Sequence, residues 1–190
     1  MTAGNVKSVV PPVVEPVLLA EALNQCHANA GYEDEWFSDA IRQARYLCEE
    51  YQWRAYITQT FDLWFDGTPK LPIEIPRAPL QSVTSIEIYD VDNVAHAVDM
   101  QNVYVDTVAE PGRVFFNEGI DWPDGFTARP FNTACVRFVA GYGDSPANVP
   151  DHFKRAILLH VGWAYNHRAG EVADLPDAFY SHLSADRLYR

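Results

Sequence analysis

The sequence is short of positive charge. Its 190 residues contain 14 Lys and Arg against 26 Asp and Glu, which gives a formal net charge of -12 and a pI near 4.7. Affinity for a phosphate backbone comes mainly from Lys and Arg, so this balance argues against direct nucleic-acid binding. An acidic protein can still surround DNA without gripping it, because the field between them is repulsive.

Cysteine and long apolar runs are also scarce. Cys26, Cys48 and Cys135 lie far apart, form no CxxC pair and are odd in number, which is typical of a reducing compartment with cysteines used as small apolar residues. No apolar run reaches membrane-spanning length, and the N-terminus shows no secretory pattern. We therefore expect no membrane segment and folding in a cytoplasm.

The common catalytic and ligand-binding motifs are missing as well. The chain has no HExxH zinc motif and no GxSxG elbow, and the Gly141-Tyr-Gly143 segment lacks the rest of a phosphate loop. His160 and His167 are two helical turns apart, which favours one core and one helix-end histidine over a shared metal. The acidic residues 33–35 suit a helix N-terminus. We expect no enzyme activity, no metal and no cofactor.

What the chain has is apolar and aromatic content, at 48% and 13% of residues, enough for a folded core. Residues 1–16 differ, because Pro11, Pro12 and Pro16 prevent a helix there. This segment also carries four valines with nothing local to bury them: Val9, Val10, Val13 and Val14. We interpret it as an N-terminal arm, either disordered or packed on a neighbouring subunit.

The apolar spacing beyond the arm predicts an α+β fold, with a small helical core of about four helices and an inserted antiparallel β block of about five or six strands. Helical spacing covers Val17–His27, Asp34–Arg54, Pro150 to about Gly170, and Pro176 to about Leu188. In the second helix, the face carrying Arg45 and Glu49 is expected to be solvated. The predicted boundaries are an arm at 1–16, a main domain at 17–170 with the insertion at about 57–140, and a C-terminal helical tail at 171–190.

Four segments, in this order and spacing, resemble the head–tail connector (adaptor) family of tailed bacteriophages. They are Ile57-Thr-Gln-Thr-Phe-Asp-Leu63, Arg77-Ala-Pro-Leu-Gln-Ser-Val-Thr-Ser-Ile86, Glu110-Pro-Gly-Arg113, and Val136-Arg-Phe-Val-Ala-Gly-Tyr-Gly143 followed by Val149-Pro150 and an apolar helix ending in Tyr165-Asn-His-Arg168. Each segment alone is a turn or strand piece, and their joint order carries the resemblance. It spans about Val17 to Arg168.

The resemblance implies a structural protein of the virion neck, assembled in the host cytoplasm, that forms a ring of about twelve copies through head-to-tail contacts. The ring would contact a portal protein on one face and a tail-side neck or head-completion protein on the other. DNA would pass through the bore without specific binding. The apolar arm and the aromatic-rich β block are candidate subunit interfaces: Val9, Val10, Val13, Val14, Trp64 and Trp122.

The last residues are predicted to dock on the portal. The segment from Leu175 to Leu188 has an amphipathic pattern and the chain ends in basic residues. The residues assigned to this role are Asp186, Arg187, Leu188, Tyr189 and Arg190.

A second hypothesis from a different class is a carbohydrate-binding or hydrolytic domain. Trp122 lies in a loop with three carboxylates, Glu118, Asp121 and Asp124, and exposed aromatics can form a platform for sugars. The spacing of these acids matches no calcium loop. This hypothesis would be favoured if the protein bound to a glycan array and if alanine at Trp122 or Asp124 abolished that binding.

Overall fold

The computed structural model describes residues 4–168 and 174–188, and within these ranges it contains eight strands and four α-helices. In chain order they are β1 (Asn5–Val10), α1 (Leu19–Gln25), α2 (Asp34–Gln52), β2 (Gln59–Phe65), β3 (Ile73–Ile75), β4 (Leu80–Tyr89), β5 (Ala95–Ala97), β6 (Val103–Asp106), β7 (Gly112–Phe116), β8 (Ala134–Ala140), α3 (Asp151–Asn166) and α4 (Asp177–Ser184). The α+β class is confirmed.

The chain divides into two compact units. A β unit combines the described residues up to Pro11 with Thr58–Gly141, and a helical unit combines Pro12–Ile57 with the described residues from Tyr142 onward. The first part of the predicted arm therefore belongs to the β unit and the rest to the helical unit.

The β unit is built from two antiparallel sheets, ordered β1-β2-β8-β4-β5 and β3-β7-β6. Alternation of apolar and polar residues sets the register, since successive side chains of a strand point to opposite faces. β2 pairs with β8 without interruption, from Gln59 opposite Ala140 to Phe65 opposite Ala134. Phe61 stacks on Phe138 at 5.4 Å between ring centroids, and both rings are buried.

The helical unit packs α1, α3 and α4 around α2. Its core includes two stacked ring pairs, Phe37 on Tyr165 at 5.2 Å and Tyr56 on Phe153 at 4.9 Å. α2 ends where Trp53 adopts a left-handed conformation, with φ 59° and ψ 37°. Of the helices in the described ranges, none combines the length and apolar character that crossing a membrane requires.

Two features of the elements differ from the sequence expectations. The span of the predicted insertion holds seven strands and not five or six, because the short segment Ile73–Ile75 does pair, with β7. The arm contributes an eighth, β1, because the outer edge of β2 offers its backbone groups an antiparallel partner within the chain.

The prediction of a solvated face on α2 was wrong for two residues. Arg45 is 7% exposed and Glu49 is 4% exposed, whereas Leu47, which shares the apolar spacing, is 39% exposed. The cause is tertiary: the segment before α1 lies over this face of α2 and places Glu15 against Arg45. Helical periodicity alone does not contain that contact.

Candidate functional site

The arm is the first candidate surface. β1 pairs with β2 in a defined register, from Asn5 opposite Trp64 to Val10 opposite Thr60, with an irregularity between Ser8 and Val10. Within β1, Val6 is half-buried and the other residues are exposed. The four arm valines also stay largely uncovered within the chain: Val9 41%, Val10 49%, Val13 93% and Val14 38% exposed. The expectation of a disordered arm is thus corrected for 5–10, and the apolar exposure remains.

An ion-pair cluster fixes the far end of the arm to the helical unit. The Arg45 guanidinium donates through Nε to Glu15 Oε2 at 2.7 Å and through Nη1 to Glu49 Oε2 at 2.6 Å. The other Glu49 oxygen accepts from the Tyr56 backbone N–H at 2.8 Å. Burial lowers the pKa of Arg45, but the charges of Glu49 and Glu15 outweigh it, so its pKa lies above the usual value. The guanidinium therefore stays charged in the interior.

The two predicted interface tryptophans are partly buried and contact residues of their own unit. Trp64 lies 5.5 Å from the Tyr89 ring, with the Arg129 guanidinium over it at 5.5 Å. Trp122 meets Phe116 edge-on at 4.8 Å between centroids. Each indole thus already has partners inside the β unit, and its part in an interface between subunits stays a prediction.

One exposed surface was missed by the sequence reasoning. On the outer face of the β3-β7-β6 sheet, Tyr104 (65% exposed) pairs in register with Phe115 (50% exposed). Beside them Asp106 accepts from Arg113 Nη2 at 2.6 Å, and that hydrogen bond lowers the pKa of Asp106. The signal was present in the alternation of these strands, where an aromatic occupies the outward position of each.

The C-terminal tail is tied to its own helical unit. The Asp186 carboxylate lies 2.8 Å from His152 Nε2, and the Asp186 backbone carbonyl accepts a hydrogen bond from Arg54 Nε at 2.6 Å. Leu188 N–H donates to the Gln52 carbonyl at 3.0 Å, and the Arg187 guanidinium lies 4.6 Å from the centre of the Tyr51 ring. Tyr189 and Arg190 lie outside the described residues.

A histidine–aspartate pair lies at the hairpin of β4 and β5. His96 Nε2 lies 2.8 Å from Asp90 Oδ2, and its ring stacks on Phe126 at 3.8 Å. This hydrogen bond, together with backbone N–H donors led by Val94, holds the pKa of Asp90 below its usual range. Asp90 therefore orders the turn after β4, as aspartate commonly does.

His160, within α3, and His167, directly after it, take the structural positions that their spacing favours. His160 is buried, and burial lowers its pKa. His167 caps the helix C-terminus, with Nδ1 2.7 Å from the Trp163 carbonyl. Within 4–168 and 174–188, no three His, Cys, Asp or Glu side chains lie together as a metal site would require.

The remaining polar candidates have local partners. Glu33 precedes α2 without capping it through its side chain, and its carboxylate accepts from Tyr165 Oη at 3.2 Å and from Arg168. Gly141-Tyr-Gly143 forms a turn between β8 and α3, where a Cβ on Gly143 would meet the Asn148 side chain at 2.8 Å. Burial raises the pKa of the Cys48 and Cys135 thiols to about 12, so these two are poor nucleophiles.

Comparison with known proteins returns structural likeness alone. No family model and no curated protein matches the sequence. Among solved structures, a chain from the neck of an empty gene transfer agent (GTA) particle computed with C6 symmetry matches with a TM-score of 0.80 and 19% identity, over 98% of this chain and 96% of that one.

Two further structures agree. A chain from the neck of the native particle computed with C12 symmetry gives a TM-score of 0.73 at 22% identity, over 98% of this chain and 96% of that one. A chain from the virion of the native particle gives 0.77 at 19%, over 97% and 96%. At these identities the likeness shows a shared fold along almost the whole of both chains.

Proposed function

We propose that the protein is a structural subunit of the neck of a tailed-phage-like particle, a head–tail connector that acts as one member of a ring. The observation that carries the proposal is the fold shared with two chains from GTA necks and one from a GTA virion, over 96% or more of each chain. The resemblance of the four sequence segments to phage connectors points the same way.

Surface chemistry supports an assembly role. A monomer that exposes Val13 at 93%, Tyr104 at 65% and Phe115 at 50% presents more apolar area than solubility favours, whereas a subunit interface would cover it. The net charge of -12 would keep a ring from sticking to DNA that passes through its bore. The pairing of titratable groups into ion pairs and turns also suits a part with no catalytic step.

The finer assignments belong to the same proposal. We propose contact with a portal protein on one face and with a tail-side neck or head-completion protein on the other, in a ring of about twelve copies. Location in the virion neck and assembly in the host cytoplasm follow from it. The tail residues Asp186–Leu188 remain the proposed portal contact, although docking there must compete with their bonds to Gln52 and Arg54.

Electron microscopy of the purified protein tests this function, alone and mixed with a portal protein of the same particle. We expect rings, or density added to one face of the portal. The portal must be present, because an isolated subunit can remain monomeric until a template orders it. A protein that stays monomeric with the portal and is missing from purified particles would refute the proposal.

Among the residues that the structure describes, no contact specifically favours the sugar-binding or hydrolytic alternative. The Trp122 ring already packs on Phe116, and Asp121 Oδ1 accepts from the Trp122 backbone N–H at 2.8 Å. These contacts order the loop, and a sugar platform would need the ring face. A glycan array in which Trp122→Ala removes binding would reverse this judgement.

A further inference from the structure

We infer that β1 is exchanged between neighbouring copies, so that Asn5–Val10 of one subunit pairs with β2 of the next subunit in the ring. The inference deepens the proposed function and rests on it, since it names the segment that joins one subunit to another. The partner of β1 is therefore a second copy of this chain.

The first argument is that β1 is a separable part of its sheet. Its six residues contribute nothing to the buried core of the β unit, because all but the half-buried Val6 are exposed. Without β1, the strands β2, β8, β4 and β5 keep their mutual pairings. An edge strand of this kind can leave at the cost of one ladder of hydrogen bonds, and it regains that ladder on an equivalent edge.

The second argument is that the edge of β2 fits this segment in particular. The residue before β1 is Gly4, and a Cβ there would meet Leu63 Cδ1 at 2.5 Å and Phe65 Cε1 at 2.9 Å. The backbone thus approaches the β2 side chains so closely that any other residue at position 4 would force Leu63 and Phe65 to shift. Every copy in a homo-oligomer carries the same β2 edge and the same β1. The β1 strand can therefore pair with Thr60 to Trp64 of another copy in the same register, and with the same hydrogen bonds, as within its own chain.

The third argument is the connection that follows β1. Val10 is joined to Glu15 by Pro11-Pro12-Val13-Val14, and the Glu15 carboxylate is held by Arg45. Only four residues make up the connection, and short hinge loops are the kind that invite exchange of an element between copies. Val13 is 93% exposed, which is unfavourable in a monomer and is relieved if the connection runs across a neighbour.

The geometry limits where the neighbour can be. Val10 pairs with Thr60 near the start of β2. Five residues of extended chain reach about 17 Å, so Glu15 of one subunit must lie within about that distance of the β1 position beside Thr60 of the next. A ring whose subunits are farther apart at this point cannot exchange β1.

Disulfide trapping tests the exchange, because Val10 and Thr60 are register partners and neither is a core residue. Two single variants, Val10→Cys and Thr60→Cys, are made in a Cys26→Ser background, mixed as monomers, assembled with the portal and oxidised. Neither chain can form this bond internally. We expect a covalent dimer that contains one chain of each kind, and the double variant in one chain should give a ladder of linked subunits.

The matched control is Val13→Cys mixed with Thr60→Cys. Val13 is more exposed than Val10 but lies outside the register with β2, so its dimer should form to a much smaller extent. Equal trapping at both positions would mean random collision and would overturn the inference.

The outcomes separate this inference from the proposed function. Rings in which the double variant forms only an internal disulfide overturn the exchange and leave the connector role standing. Failure to form rings with the portal at all overturns both. Rings that contain the mixed Val10–Thr60 dimer support both.

Discussion

The buried cluster of Glu15, Arg45 and Glu49 gives the sharpest stability prediction. Arg45→Met keeps the length and apolar stem of the side chain but removes the charge that lies between two carboxylates. The Glu49 carboxylate then stays buried, at 4% residue exposure, without the Arg45 charge. Its hydrogen bond from the Tyr56 N–H remains.

The expected magnitude follows from that burial. Removing one partner of a buried ion pair destabilises a protein by about 3–5 kcal/mol. Because Glu49 keeps its backbone donor, we expect the lower part of that range, about 3 kcal/mol. For a chain of this size such a loss lowers the melting temperature by about 6–12 °C. Glu15→Gln should cost less, roughly 1 kcal/mol, because the Glu15 side chain is 27% exposed.

The assay is urea unfolding followed by far-UV circular dichroism, with a double-mutant cycle. Arg45→Met combined with Glu49→Gln should recover part of the loss, because the second change removes the uncompensated charge and leaves an oxygen for the Tyr56 N–H. The control is Arg42→Met, one turn earlier on α2, where the pair with Asp39 is about two-thirds exposed. It should shift stability by less than about 0.5 kcal/mol.

An Arg45→Met variant as stable as Arg42→Met would refute this reasoning. It would mean that the cluster is hydrated in solution and that the arm is not fixed at Glu15. Strict additivity in the Arg45 and Glu49 cycle would contradict the pairwise contact itself.

Three further predictions concern single contacts. Burial lowers the pKa of His160 below its unfolded value of about 6.5, so the protein has the full stability of the neutral form above about pH 6.5 and loses stability as the pH falls below that value. His160→Leu should therefore flatten the fall in unfolding free energy between about pH 7 and 5. Equal pH slopes of the unfolding free energy in the two proteins would contradict this. Deleting residues 186–190 should weaken co-sedimentation with the portal, and unchanged binding would remove the docking role. Arg54→Ala, which removes the donor to the Asp186 carbonyl and to Tyr142 Oη but keeps the tail residues, separates docking from tail anchoring. Phe115→Ser should leave the melting temperature within about 1 °C, because the phenyl side chain is 50% exposed. It should reduce the assembly of oligomeric rings if the Tyr104 and Phe115 face is covered there. An unchanged yield of rings by electron microscopy would exclude this face as an interface.

The elements could be predicted well where one local pattern dominates. The β insertion was predicted to end at about residue 140, where β8 does end, because a run that is apolar except for Arg137 stops at the turn residues 141–143. α2 was predicted to begin at Asp34, where it does begin. Its end was placed two residues late, because the residue that ends the helix in a left-handed conformation is Trp53 and not the glycine that usually marks a helix C-terminus in a sequence.

The candidate surfaces were predicted less completely. The arm valines were named from composition alone, and they are exposed in the structure. The Tyr104 and Phe115 pair was missed, because it becomes a surface only when β6 and β7 align in register. The tail residues were assigned to a partner, but Asp186 and Leu188 bond to Arg54 and Gln52, more than 130 positions away along the chain.

The sequence by itself determined the class of fold, the order of the helices around the β insertion, and the acidic character, because these depend on periodicity and composition within short windows. The tertiary structure decided which side chains of distant segments contact one another. Whether Arg45 is a solvated charge or a buried one depends on where Glu15 lies, 30 positions earlier. Burial and charge pairing depend on three-dimensional neighbours, and the local pattern of the chain does not contain them.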